Sequence, residues 1–131
     1  MKPITMLILA SIIILSSCKK DPVKEEPVPS LKGKWNLELT TIKSYENSIL
    51  VTTTTEPASG ATFDFQTNGS VVMSHDGVIE SHQYTITSDS KVDIEGYIYE
   101  IRNLTAHSVS LFLRDEYSPG NYAEIDQTFK R

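Results

Sequence analysis

Three histidines, His75, His82 and His107, carry the side chains best suited to metal binding or to proton transfer near neutral pH. If the strands flanking the stretch Asp76–Ser81 pair around it as a loop, His75 stands opposite His82 on one sheet face. With Asp76 or Glu80 those two imidazoles could ligate a divalent metal such as zinc. The plainer reading, two histidines beside a solvated loop, is the one adopted. Asp89, Asp93 and Glu95 are spaced as outward strand carboxylates and lack the glycine turn and downstream glutamate of a calcium loop. A carboxylate pair of the glycosidase kind depends on spatial separation, which spacing in sequence does not reveal. Serines are plentiful, yet none sits in a Gly-x-Ser-x-Gly elbow. The pattern points to binding rather than catalysis, with no cofactor.

Residues that could hold a ligand are better represented. Trp35, Phe63, Phe65, Tyr84, Tyr97, Tyr99, Leu111 and Phe129 fall on positions that share one face of successive strands, and they form the candidate ligand cavity. Inward aromatics usually fill a small barrel. Tyrosine is the ambivalent member, because a buried hydroxyl needs a partner and a ligand site needs a few polar contacts.

The elements that would position these residues are strands. From Leu31 to Arg131, about a hundred residues suffice for one small domain. Apolar residues recur there with period two, and β-branched and aromatic types dominate. The run Thr52–Thr55 suits a strand with one wet face. Matching apolar faces gives a register. Phe65 and Phe63 face Val71 and Met73 across Thr67-Asn68-Gly69, with Gly69 in the left-handed position. Val71, Met73 and His75 face Ile86, Tyr84 and His82. Ile86 and Tyr84 then face Val92 and Ile94, Tyr99 and Ile101 face Leu111 and Val109, and Leu111 and Leu113 face Ile125 and Ala123. The inner face changes parity at Glu95-Gly96, which is either a bulge in one long strand or a tight turn between two short ones. With the bulge, and with strands over 33–43 and 47–56, the count is eight. The expected fold is an all-β, antiparallel up-and-down barrel of about eight strands, in which closure removes exposed edges.

Ahead of this domain the apolar run Ile4–Leu15 follows a start whose one side-chain charge is Lys2. Roughly twenty apolar residues are needed to span a bilayer core, so the run reads as a secretory signal peptide. Its end, Leu15-Ser16-Ser17-Cys18, resembles the lipobox of bacterial lipoproteins. That resemblance implies cleavage after residue 17 and a diacylglyceryl thioether on Cys18, usually with an acyl chain such as palmitate on the new amino terminus. Two chains hold a protein on a membrane stably where one holds it marginally. Lys19, Lys20 and Asp21 directly after Cys18 exclude a buried structural thiol, and the chain has no second cysteine for a disulfide. Charges and the prolines Pro22, Pro27 and Pro29 make residues 18–30 an extended tether. From Cys18 onward eleven basic and seventeen acidic side chains leave a formal charge of −6, which disfavours nucleic acid as a partner.

The blocks "LKGKWNLELTTIK", "TFDFQTNGSVVMS", "IYEIRNLTAHSVSLFLRD" and "YAEIDQTFKR" resemble, in order, those of bacterial lipocalin-like lipoproteins, over nearly all of residues 31–131. Gly33-x-Trp35 is similar to the opening element of true lipocalins. The resemblance implies that Trp35 closes the barrel base beneath a C-terminal basic residue, Arg131 or Lys130. It also implies a monomer anchored through Cys18 to the outer membrane, facing the periplasm or the cell surface, and binding a small apolar ligand. The alternative is an accessory lipoprotein that engages a protein partner through its loops. In such a chain the sequons at Asn68 and Asn103 are turn chemistry.

Overall fold

The computed structural model describes residues 28–58 and 60–131. The signal segment 1–17, Cys18 and the tether up to residue 27 lie outside the described residues. Nine strands follow in chain order: β1 (Gly33–Glu46), β2 (Ile49–Pro57), β3 (Thr62–Phe65), β4 (Ser70–His75), β5 (Val78–Ser88), β6 (Lys91–Ile94), β7 (Tyr97–Arg102), β8 (Ser108–Ser118) and β9 (Asn121–Lys130). All pairings are antiparallel between neighbours, and β1 also pairs with β9. An eight-strand barrel, β1 with β3 to β9, therefore closes, and β2 is an extra strand.

The extra strand explains how nine strands make an even-numbered barrel. Asn36 pairs with both Thr62 of β3 and Lys130 of β9. Further along β1, Ile42 pairs with both Thr54 of β2 and Ile125 of β9. Hence β2 and β3 lie along the same edge of β1, as one line broken between Pro57 and Thr62. At the break the Leu37 amide donates to the Ala61 carbonyl and the Ala58 amide to that of Glu38. Glu38 is the extra residue where the β1–β9 register slips, and such a bulge bends its strand. Above it the β1–β2 and β8–β9 hairpins leave the barrel as a four-stranded arm.

Two-residue turns set the heights of the hairpins, and they correct the expected register in several places. Asp76 and Gly77, both at positive φ, close β4–β5 so tightly that His75 faces Val78 and His82 faces Val71. His75 and His82 are thus not opposite each other, and the stretch Asp76–Ser81 is mostly strand. Glu95-Gly96 is likewise a turn rather than a bulge, both residues again at positive φ, with Ile94 opposite Tyr97. Two left-handed residues in succession match the twist of the flanking strands. Pro119-Gly120 tightens β8–β9, so Leu111 faces Gln127 and Leu113 faces Ile125, two residues from the expected pairing. In β7–β8 the pairing is displaced as well, Ile101 facing Leu111 rather than Val109, with the loop closed by the Thr105 amide donating to the Ser108 carbonyl. Asn47 and Ser48 form the β1–β2 turn instead of opening β2. Every residue of β2 is exposed, so Thr52–Thr55 has two wet faces. The expected pairings Phe63–Met73, Phe65–Val71, Tyr84–Ile94 and Ile86–Val92 are all present.

Inside the barrel, Trp35, Phe65, Val71, Val92, Leu111 and Phe129 are almost wholly buried. Each such side chain contributes about 1.5–3 kcal/mol relative to an exposed one. Phe63 packs against Phe129 with ring centroids 4.9 Å apart, and Phe65 meets Tyr84 edge-on at 5.1 Å. These rings fill the lower barrel.

Candidate functional site

The base is sealed by one residue pair. The indole Nε1 of Trp35 donates to the Leu31 carbonyl at 2.7 Å, and the Arg131 guanidinium carbon lies 4.0 Å from the indole ring centroid. Arg131 also donates to three carbonyls: Nε to Ala106, Nη1 to Lys32 and Nη2 to Ser30, at 2.8 to 2.9 Å. A Cβ on Gly33, whose φ is +107°, would stand 3.0 Å from Arg131 Nη1. Glycine is what lets the guanidinium settle there. Arg131, not Lys130, takes this position; Lys130 Nζ pairs with Glu38 on the outer surface at 3.0 Å.

The opposite end is open. The turns Asp76-Gly77 and Glu95-Gly96 stand there beside the arm, and between their hairpins lie two adjoining recesses that share Met73. One, about 180 Å³, is lined by Met73, His82, Ile94, Glu95, Tyr97 and Tyr99. The other, about 410 Å³, is lined by Met73, His75, Asp76, Val78 and Glu80. Of the eight residues expected to hold a ligand, Tyr97 and Tyr99 line this mouth. Trp35, Phe65, Leu111 and Phe129 are packed in the core below, with Phe63 half-buried above them. Tyr84 is buried too, and its hydroxyl already donates to the Gln66 carbonyl at 2.7 Å, so its polar capacity is committed to the backbone. Tyr99 is half-buried, and burial is the first cause of its raised phenol pKa, followed by the nearby Tyr97 and Asp115.

Met73, Val78 and Ile94 are the mouth residues that sequence reasoning left out, and Glu95, expected as an outward strand carboxylate, instead stands in the β6–β7 turn and lines the mouth. The signal that could have found them was the Asp-Gly pair at 76–77, a strong mark of a two-residue hairpin turn. Read that way, it brings Glu80 opposite Met73, and His82 below them. His82 bridges two elements: Nδ1 lies 3.1 Å from Glu95 in the β6–β7 turn, and Nε2 lies 3.4 Å from Glu80 on β5. The Glu95 hydrogen bond is the main cause of an imidazole pKa raised above its ordinary value; partial burial opposes it and Glu80 adds to it. His75 pairs with Asp76 at 3.3 Å. Among the described residues, no group of three or more histidine, cysteine, aspartate or glutamate side chains is placed to hold a metal ion.

A third recess, about 250 Å³, lies on the outer face of β7, β8, β9 and β1, lined by Thr41, Lys43, Arg102, Phe112, Glu124 and Asp126. Its arginine is already engaged. Arg102 stacks 3.6 Å over Phe112 and pairs with Glu100 at 2.9 Å. Beside it Arg114 stacks 3.7 Å over Tyr122, itself stacked on Tyr45 at 4.4 Å. This face is a solvated ladder of ion pairs and aromatics that stiffens the arm.

The fold and the two unlike ends define a small closed antiparallel β-barrel with a sealed base and an open mouth. No protein-family model matches the chain, and no curated protein is significantly similar to it.

Proposed function

We propose that this protein is a lipid-anchored β-barrel, held through Cys18 at the outer membrane, that binds a small apolar molecule at the mouth of its barrel. The observation that carries the reading is the recess over Met73, where Tyr97, Tyr99 and Ile94 offer apolar surface above a core that is already packed. Ligand sites are concave, mostly apolar and provided with a few polar groups, and this recess has that composition. The ligand would rest on the core rather than within it, which suits a short molecule or one end of a longer one. Native mass spectrometry of the protein isolated from its own membrane tests this. The reading expects a bound small molecule that is lost from Tyr99→Ala; a molecule retained equally by that variant, or none at all, would contradict it.

A second reading, an accessory lipoprotein that engages a protein partner, draws on β2. Among the described residues its outer edge is paired with no strand, and Ile49, Leu50 and Val51 on it are exposed. An unpaired edge of this kind can add a strand from another chain. Replacing Thr53 with proline would remove a backbone donor and block that pairing while leaving the mouth intact.

A further inference from the structure

The mouth is chemically one-sided. Three carboxylates, Asp76, Glu80 and Glu95, line the two recesses, and among the described residues no lysine or arginine does. His75 and His82 line them as well. Even with both imidazoles protonated, three negative charges stand against two positive ones. Asp115, close enough to Tyr99 to act on its phenol, adds a fourth carboxylate from β8. A ligand bearing an anionic head, such as a fatty acid, would meet a net like charge there.

The aromatic rings point the same way. Cations are attracted to the faces of tyrosine and tryptophan rings, and quaternary ammonium groups are often held in aromatic cages. The chain has three arginines, and each stacks on an aromatic ring elsewhere: Arg102 on Phe112, Arg114 on Tyr122 and Arg131 on Trp35. None covers Tyr97 or Tyr99. Tyr97 is 56% exposed, so its ring is open to an incoming group. Met73 and Ile94 supply the apolar floor on which a hydrocarbon segment could lie.

From this juxtaposition of carboxylates, uncovered tyrosine rings and an apolar floor, we infer that the ligand of the mouth is a cationic amphiphile, an amine or quaternary ammonium on a short hydrocarbon chain. The inference rests on the mouth being the binding site, and it adds the sign of the ligand's charge. The tail lies over Met73 and Ile94, and the head sits among Tyr97, Tyr99, Glu95 and Glu80.

The test uses three probes that share one tail, octyltrimethylammonium, 1-octanol and octanoate, titrated calorimetrically into the full chain at low ionic strength. Octyltrimethylammonium should bind at least about tenfold more tightly than 1-octanol, and octanoate most weakly, since about tenfold is what one modest charge contact supplies. A double variant, Glu80→Gln with Glu95→Gln, should bring the cation and the alcohol to within a few-fold of each other. The variant's unfolding midpoint, measured in parallel, shows whether it is folded. If octanoate or the alcohol binds as well as the cation, and Tyr99→Ala abolishes that binding, the charge assignment is overturned while the mouth stands as a site. If no probe binds, or Tyr99→Ala changes nothing, the mouth reading fails, and the charge assignment falls with it.

Discussion

Arg131, the last residue of the chain, lies flat over Trp35, the only tryptophan, and ties three backbone carbonyls around it. The pair joins the start of β1 to the end of β9 and to the β7–β8 loop, so the barrel is closed at its base where its first strand begins and its last strand ends. Trp35→Ala removes a fully buried indole and should cost about 3–5 kcal/mol. Arg131→Ala should cost about 1–3 kcal/mol, because it frees carbonyls that had charged donors. Arg131→Lys should recover only part of this, since an ammonium lacks the planar fork. Chemical denaturation measures the series, followed by Trp35 fluorescence for the Arg131 variants and by circular dichroism for Trp35→Ala, which lacks the only tryptophan. The native emission should be blue-shifted in the wild type, and equal midpoints for Arg131→Lys and the wild type would remove the clamp.

Gly69 has a φ of +86° in the three-residue loop between β3 and β4. A β-branched side chain strongly resists that region. Gly69→Val should therefore lower stability by about 1–3 kcal/mol, read from the shift of the denaturation midpoint at constant slope.

His82 makes stability depend on pH. Its pKa is raised in the folded protein, first by the Glu95 hydrogen bond and further by Glu80, so the folded state binds this proton more tightly than the unfolded chain. The stabilisation is complete below the ordinary histidine value near 6.5 and is lost as the pH rises through the raised folded value. Glu100, held below its ordinary value first by the Arg102 hydrogen bond, has the opposite sign but acts in a lower window, its contribution lost only as the pH falls through its depressed value. Unfolding midpoints measured from below to above the histidine range should fall with pH in the wild type. In His82→Gln this part of the decline should be absent.

Two kinds of information were unequally readable in the chain. Period-two alternation assigns each side chain to a face, and the inner face through Phe63, Phe65, Val71, Met73, Tyr84, Val92 and Ile94 was legible from it. Height along the barrel is set by the turns, and shifting a pairing by an even number of residues leaves the faces unchanged. Reading Asp76–Ser81 as a loop preserved the face of His82 but misplaced it relative to His75. Glu95-Gly96 fits a bulge or a turn equally well on composition, and only pairing with both neighbours settles it as a turn. The site suffers most from this, because the mouth is defined by which inner residues stand at the top. The break between β2 and β3 was hidden for another reason: it depends on a bulge at Glu38 in a different strand.

If the protein is anchored as proposed, Cys18→Ser should abolish incorporation of a labelled fatty acid in cells and leave uncleaved or soluble protein. Label retained by the variant would contradict lipidation at Cys18.

The most direct measurement of where a ligand binds is a nuclear magnetic resonance titration of the full chain with octyltrimethylammonium, following the Met73 methyl, the Ile94 methyls, the rings of Tyr97 and Tyr99, and the Trp35 indole. Saturable shifts are expected at Met73, Ile94, Tyr97 and Tyr99, with the Trp35 indole unmoved at the sealed base. Shifts centred on Ile49 to Pro57 of β2, or on Trp35 and Phe129 in the core, would contradict binding at the mouth.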